Sequence, residues 1–559
     1  MKKSITLIAL LLCIVMILAA CAGNGSTPSG ASNNSPSNAS GNTSDNAQSN
    51  TSSSASVNTA DNQSGNTSGN PTTPVKDSVV IAQSGDNNVF TIFDSGAFLT
   101  ANSYFGAYNL YDAYFRQAPD GSVSPALAKE ASVSDDGLVW TITLRDDVYF
   151  HNGYKLTAAD AVWSLETLRE LVPNEFTGTY RGLELIEQVD EYTLKLTLSA
   201  PYAPFRTVLS KRHSFVFCKQ YWEEVGGLAG YQANPIGTGA YKFVSYTSGE
   251  NLILEANENY WGIQPTIKHI TLRPIGSVAT QFLSLENGEV DVILGADPAS
   301  CLQINSPNLT FSYNGAAGRN VLRMMCVAPS PLQDINLRRA IQSAINKEDV
   351  LIGSAEGYGT LMDFDVVPMW SGTPDVSKMR AVPYDMEKAK EYLAASDYKG
   401  QALRLVVSSG SALEKAAQII QGKLMEININ IEVVAVDGPT AQTYDGSGGD
   451  LDMLLTGYGA SEYDVANMRF PHLASTTRTP YVPADVLEHT TALLTKSNSE
   501  MDLTTRQATI EELLYYINDQ VLVVPLYNAM TFVAHDTSLS GVSSHPVGNV
   551  AFVETWRWN

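Results

Sequence analysis

The sequence predicts an α/β protein built as two lobes with mixed sheets. Three observations lead there. The chain has 559 residues, more than the roughly 250–300 that a single hydrophobic core supports. Its folded part changes texture midway, from strand-rich to alternating helix and strand. The change falls near 320–330, and an apolar segment near 520–530 implies a second crossing. Two folded regions joined twice leave a cleft between them, and ligand sites favour such junctions.

The first element is not part of that fold. Lys2 and Lys3 precede an apolar run, Ile5 to Ala20, that ends in Leu18-Ala19-Ala20-Cys21. A basic start, a short apolar stretch and small residues before a cut describe a secretory signal over 1–21. The L-A-A-C stretch resembles a bacterial lipobox, which implies lipidation of Cys21. Acyl chains there would hold the protein on a membrane, each buried CH₂ contributing about 0.8 kcal/mol. Residues 22–75 follow. Of these 54 positions 38 are Ser, Asn, Gly or Thr, with no Lys, Arg, Glu, Leu, Ile, Met or aromatic residue. Such a segment cannot bury enough apolar area to offset its ordering entropy, so a flexible tether is expected.

The folded body starts near Lys76. Lys+Arg number 35 and Asp+Glu 58, a net charge of −23. Lys2 and Lys3 balance Asp45 and Asp61 of the tether, so the body carries all of it. That excess argues against nucleic acid, whose phosphates demand a basic face, and against docking on an anionic leaflet through surface charge. It favours solubility and cationic ligands. Cys218, Cys301 and Cys326 lie too far apart for a zinc cluster. Three buried thiols fit, as does one disulfide with a free thiol.

Leu138–Leu144 and Tyr192–Leu198 read as strands; in the second, Leu194, Leu196 and Leu198 alternate with Thr193, Lys195 and Thr197. Ala240–Tyr246, Leu252–Ala256 and Ile267–Arg273 read likewise. Between them Thr157 and Asp160 form a capping box, and Ala161, Leu165 and Leu168 then share one helix face. Tyr104, Tyr108, Tyr111 and Tyr114 recur at helical spacing, as core or as a pocket wall. In the second region Asp334 caps a helix carrying Leu337, Ala340, Ile341, Ala344 and Ile345. Ser411 with Glu414 reads as a capping box for a helix to Ile427. Strands follow at Ile429–Val436 and Leu451–Leu455, then a helix at Leu503–Asn518 and a buried strand at Val521–Tyr527.

Several blocks together resemble one family. Ser124-Pro-Ala-Leu-Ala128, Val133-Ser-Asp-Asp-Gly-Leu138 and Leu144-Arg-Asp-Asp-Val148 come first. Phe150-His-Asn-Gly153, Leu156-Thr-Ala-Ala-Asp-Ala161 and Asn234-Pro-Ile-Gly-Thr-Gly-Ala-Tyr241 follow. Asn257-Glu-Asn-Tyr-Trp-Gly262, Leu285-Glu-Asn-Gly-Glu-Val-Asp291, Asn336-Leu-Arg-Arg-Ala340, Tyr384-Asp-Met-Glu-Lys-Ala-Lys390 and Val524-Pro-Leu-Tyr527 complete the order. The sequence is similar to the bacterial extracellular solute-binding proteins of family 5, the oligopeptide, dipeptide and nickel receptors of ABC importers. The resemblance implies a periplasmic-binding-protein-like fold with a large discontinuous N-terminal lobe and a hinge-linked second lobe. The expected boundaries are 76–325 for lobe I, with a strand-rich subdomain at about 121–265, 326–520 for lobe II, and 521–559 for the segment returning to lobe I. Gly237 and Gly239 are expected to serve turns, Asp135-Asp136-Gly137 a turn, and Arg145 an ion pair within the fold.

The pocket is where the chain departs from the family. Peptide-binding members carry G-W-x-A-D-x-x-D-P, whose Asp after Ala receives the peptide's α-amino group. Here the stretch is Gly457-Tyr458-Gly459-Ala460-Ser461-Glu462-Tyr463-Asp464-Val465. Ser461 replaces that Asp, Glu462 adjoins it, and Asp464 keeps the later acid. Either Glu462 takes over, or the ligand lacks a free amine, or the register slips by one. The Arg that dipeptide-type members place ahead of the next helix is missing from Val407-Ser-Ser-Gly-Ser-Ala412. Tyr104, Trp370, Tyr458, Ser461, Glu462 and Asp464 are the expected ligand contacts. The seven His show no metal-ligand spacing, so neither a metal site nor a cofactor is expected. H-E-x-x-H and G-x-S-x-G are absent, which argues against an enzyme.

The resulting expectation is a monomeric receptor, lipid-anchored on the outer face of the cell membrane. It would bind peptides between its lobes and deliver them to an ABC permease and its ATPase. Alternatives are a non-peptide solute, such as a metal chelate or sugar, and a signalling or adhesion protein on the same fold.

Overall fold

The computed structural model describes residues 76–86, 103–447, 449–459, 464–465, 481–545 and 547–559. The signal with Cys21, the tether, Ser461 and Glu462 lie outside the described residues. Those described belong to one unit, Thr72–Asn559.

β1 (Ser78–Gln83) leads to helix α1 (Tyr104–Leu110) and a short hairpin, β2 (Phe115–Gln117) and β3 (Val123–Pro125). The tyrosine stripe does not continue as one helix. Tyr111 is already extended, so Tyr114 follows a bend, and both rings are buried in the core. Next come β4 (Ala128–Val133), β5 (Val139–Leu144), β6 (Leu183–Gln188) and β7 (Thr193–Leu198), a separate antiparallel sheet in the order β4-β5-β7-β6. The period-2 pattern explains β7, whose Leu194, Leu196 and Leu198 are buried while the alternating polar residues are not. Helix α2 (Ala158–Leu171) starts as expected: the Asp160 carboxylate accepts from the Thr157 N–H at 3.0 Å and its hydroxyl at 2.8 Å. Arg145 does pair within the fold, with Asp147 at 2.6 Å. β8 (Tyr241–Thr247), β9 (Asn251–Ala256) and β10 (His269–Pro274) form a meander that lays β10 parallel to β1, and β11 (Val292–Leu294) takes the other edge of β1. Gly237 and Gly239 serve close approach rather than turns, since a Cβ on either would strike the main chain of Asn109 or Leu110.

The second region opens with a long strand, β12 (Leu309–Met324). Helix α3 (Ile335–Ala344) is capped by Asp334, which accepts from the Asn336 N–H at 2.8 Å. β13 (Gly359–Leu361), β14 (Leu403–Ser408), helix α4 (Ala412–Met425), β15 (Ile431–Val436), helix α5 (Gly438–Ser447) and β16 (Met453–Gly459) follow. β14 runs parallel to both β15 and β16, the wiring that helix–strand alternation predicts. The capping box at α4 is not formed as expected. The Ser411 hydroxyl donates to the Ser408 carbonyl, and Glu414 accepts from the Gly410 N–H instead of that of Ser411. Helices α6 (Ala484–Ser499) and α7 (Leu503–Asp519) lead into β17 (Val523–Asp536). β17 is twice as long as its apolar run because its second half pairs with other strands.

That pairing organises the molecule. One large sheet runs β15-β14-β16-β12-β17-β11-β1-β10-β9-β8, with β13 added on β17. Residues 318–323 of β12 pair with 523–529 of β17, and 309–314 pair with 531–536; an irregularity separates Asn314 from Gly318. The apolar cores divide at the same place. Val321, Leu322 and Met324 join Val523, Val524 and Leu526 in a core with α3, α4, α7, β14 and β16. Phe311 and Phe532 join Ala82 and Ile293 beside the large core of β4–β10, α1 and α2. Two lobes therefore share β12 and β17, and the chain passes from one to the other along each.

Candidate functional site

The second lobe meets the crossing with a layer of guanidinium groups and aromatic rings. The β12–β16 register sets Arg319 opposite Tyr458 and Arg323 opposite Leu454. Arg319 is buried against Asp365 at 2.5 Å, and its guanidinium lies 5.6 Å from the Trp370 ring centre and 5.1 Å from that of Tyr458. Arg323 pairs with Asp445, donates to the Tyr458 hydroxyl at 3.1 Å and lies 4.0 Å from the Tyr481 ring centre. Burial alone would lower the Arg323 pKa, but Tyr458, Asp445 and Tyr481 outweigh it and the group is held firmly charged. Burial raises the Tyr458 hydroxyl. One nitrogen of Arg323, Nη2, and one oxygen of Asp365, Oδ2, are buried without a hydrogen-bond partner.

A third ion pair involves Asp464. Asp464 is fully buried and both its oxygens take hydrogen bonds from Arg506 of α7, one of them at 2.9 Å. Asp464 also bridges to Ser371 beside Trp370. Gly459, the last residue of β16, pairs with Gly318 at the crossing.

On the first lobe, Arg116 donates to Asp112 at 3.0 Å and to Glu554 at 2.8 Å, and lies 4.5 Å from the Phe552 ring centre. Asp112 also accepts from Thr238 and Trp261. Burial raises its pKa against the pull of Arg116. Next to Arg116, the Gln117 side chain donates to the Gly121 carbonyl at 3.2 Å. Asn314 at the irregularity of β12 donates to the Ser544 carbonyl at 3.3 Å.

The lobes touch. A Cβ on Gly121 would stand 2.2 Å from the Met369 carbonyl oxygen, beside Trp370. The Ala203 N–H donates to the Asn498 carbonyl at 2.8 Å. A cavity of about 990 Å³ lies along this seam, with Pro201 and Tyr202 on one side and Leu487 and Lys496 on the other.

The expected contacts fall unevenly. Trp370 and Tyr458 are together, on either side of Arg319. Tyr104 is buried in the first core, its hydroxyl accepting from Arg212 at 3.3 Å. Asp464 is committed to Arg506. Arg319, Arg323, Asp365 and Asp445 were not anticipated. The one available signal was two arginines four apart, Arg319 and Arg323, flanking the apolar pair Val321-Leu322.

A model of the middle region of the bacterial extracellular solute-binding proteins, family 5, matches residues 122–480. The nickel-binding periplasmic protein of Escherichia coli K12 is 27% identical over 483 residues, 80% of this chain and 89% of its own. The glutathione-binding protein GsiB of Salmonella paratyphi A is 28% identical over 407 residues, 70% of this chain and 76% of its own. The fold is similar to that of the periplasmic binding protein DppA from Helicobacter pylori in complex with the peptide STSA. The TM-score is 0.71 at 23% identity, covering 87% of this chain and 98% of that one. The chain belongs to the extracellular solute-binding proteins of family 5.

Proposed function

From that membership we propose that the protein is a peptide receptor of an ABC importer. It takes peptides between its lobes and hands them to a permease served by its ATPase. The observation that carries the reading is the guanidinium–aromatic layer of Arg319, Trp370 and Tyr458, set where β12 and β17 cross between the two cores. Rings and buried hydrogen-bonding groups suit a ligand that is part apolar and part amide. The DppA relative in its peptide complex supports the same class. Trp370, Tyr458, Ser461 and Glu462 are the proposed contacts. Tyr104 is proposed only as support beneath Arg212. The lobes are proposed as 76–325 with 521–559, and 326–520. The protein acts as a monomer, held at Cys21 on the outer face of the membrane with 22–75 as its tether.

Ser461 favours a second reading, a solute without a free amine, since a hydroxyl cannot neutralise an ammonium. Among the described residues no group of three His, Cys, Asp or Glu could hold a metal ion. A metal would therefore arrive inside an organic chelate. Native mass spectrometry of the purified protein decides between them. Bound masses that fragment as peptides support the first reading; a single non-peptide mass overturns it. Small-angle scattering should show compaction when the ligand binds.

A further inference from the structure

The hydroxyl of Tyr458 is engaged within the protein. It donates its one proton to Asp445 at 2.7 Å and accepts from Arg323 at 3.1 Å. The hydroxyl is buried, whereas the residue as a whole is half-buried and flanked by the exposed Gly457 and Gly459. What Tyr458 leaves open to a ligand is therefore its ring and main chain, with no O–H donor to offer.

Strand register produces this arrangement. β12 and β16 pair without a break from Gly318 to Met324, so Arg319 and Arg323, four apart, stand on one face. Tyr458 lies opposite Arg319, whose guanidinium is 5.1 Å from its ring centre, and its hydroxyl reaches Arg323. The side chain is gripped at both ends. Asp445, from the last turn of α5, pairs with Arg323. The Tyr481 ring stands 4.0 Å from the Arg323 guanidinium, and the Tyr481 hydroxyl donates to the carbonyls of Tyr444 and Asp445. The partners of the Tyr458 hydroxyl are thus fixed by packing before any ligand arrives.

The consequence is chemical. A free phenol both stacks and hydrogen-bonds, so it suits hydroxyl-bearing solutes as well as apolar ones. A ring whose hydroxyl is taken up selects by apolar area. A polar group of the ligand set against it loses water without gaining a bond.

We infer that Arg323 and Asp445 are positioning residues that set the specificity of the site. They take up the Tyr458 hydroxyl and hold its ring against Arg319, so that Tyr458 selects an apolar side chain of the ligand over a polar one. This deepens the peptide reading and rests on its placing Tyr458 among the contacts. The substrate class is peptides with an apolar residue at that one position.

The test uses the full-length protein in detergent, freed of co-purified ligand by denaturation and refolding. The probes are two synthetic pools of tri- to pentapeptides, one randomised over Gly, Leu, Met and Phe, the other over Gly, Ser, Asn and Gln. The readout is the ratio of their affinities in titration calorimetry. Wild type should prefer the apolar pool. Asp445→Ala frees the hydroxyl proton for polar ligands and should cut that preference about tenfold, the scale of one hydrogen bond. Asp445→Asn, which still accepts from the hydroxyl, should restore it. In a Tyr458→Phe background there is no hydroxyl to free, so Asp445→Ala should leave the ratio within twofold. A merely structural Asp445 would weaken both pools alike in either background and overturn the inference. Should Asp445→Ala fail to fold, Tyr458→Phe alone decides. It should shift both pools by one common factor; a selective loss of the polar pool would mean that the hydroxyl touches the ligand and would overturn the inference. A wild type that binds peptides without preferring the apolar pool would overturn it and leave the peptide reading intact. A wild type that ignores both pools would overturn the peptide reading and the inference with it.

Discussion

Gly121→Ala should weaken ligand binding without unfolding either lobe. Gly121 has φ +86°, where a side chain costs about 1–2 kcal/mol. That cost is local and applies whether the lobes are apart or together, so it cancels from the binding equilibrium. The contact across the seam does not cancel. The new Cβ would meet the Met369 carbonyl oxygen at 2.2 Å, and the only relief is for the seam to part or the β2–β3 turn to shift. Overpacking of this kind costs about 1–3 kcal/mol. Borne by the closed form alone, that is about a 5- to 150-fold loss of affinity. Gly153 supplies the control, with φ +90° and nothing within 4 Å of an added Cβ. Gly153→Ala should therefore show the backbone cost in a urea melt and unchanged affinity in calorimetry. Equal affinities for wild type and both variants would refute the reasoning, because Gly121 would then not be pressed by lobe closure.

Asp464→Asn leaves Arg506 buried without its charge partner and should cost about 3–5 kcal/mol in a urea melt, the usual result of breaking a buried pair; a loss under about 1 kcal/mol would show that the pair is dispensable. His151, whose pKa burial pushes down to about 4, binds a proton more readily unfolded than folded. Its contribution is complete above about pH 6.5 and is lost as pH falls toward 4, at about 1.4 kcal/mol per pH unit. His151→Gln should flatten the stability curve in that window and leave its slope above pH 7 unchanged. Cys218, Cys301 and Cys326 are free, with burial pushing their thiols up to about 12, 12 and 11. Iodoacetamide at pH 8 should label none of them in the native protein and all three in urea, as read by mass spectrometry. Ser461→Asp should tighten binding of short peptides with a free N-terminus in calorimetry; an unchanged affinity would place the amine elsewhere.

The fold was legible wherever local pattern and packing agreed. Alternation placed β7, and the Thr157–Asp160 and Asp334 caps placed α2 and α3, because each of those signals is settled by residues within a few positions. Patterns that depended on distant partners were misread. β17 runs on through Asn528-Ala-Met-Thr-Phe532 because β12 and β13 take up its hydrogen bonds, which no local apolar run announces. The tyrosine stripe had helical spacing, but the chain turns extended at Tyr111 to reach β2. Asp464 looked like a pocket acid because its partner, Arg506, lies on another helix 42 residues on. Trp370 and Tyr458, singled out from composition and motif, stand together on either side of Arg319. Arg319, which joins them, was hidden because strand register alone sets it opposite Tyr458.

The acidic surplus of the chain suggested a preference for cations, and the site points elsewhere. Around the crossing, Arg319 meets Asp365, Arg323 meets Asp445 and Arg506 meets Asp464, one cation to each anion. Acidic residues such as Glu387, Asp450 and Glu391 are instead largely exposed, where salt screens them within about 10 Å. Such charges act on solubility and on the approach of a ligand, not on its fit. Discrimination at the seam is then left to neutral donors and acceptors and to aromatic faces. That division of labour suits a receptor that holds the repeating part of its ligand, the amide, and tolerates variation in the rest. Mutating exposed acids should accordingly alter the salt dependence of the association rate and leave the dissociation rate unchanged, as stopped-flow binding at several salt concentrations would read.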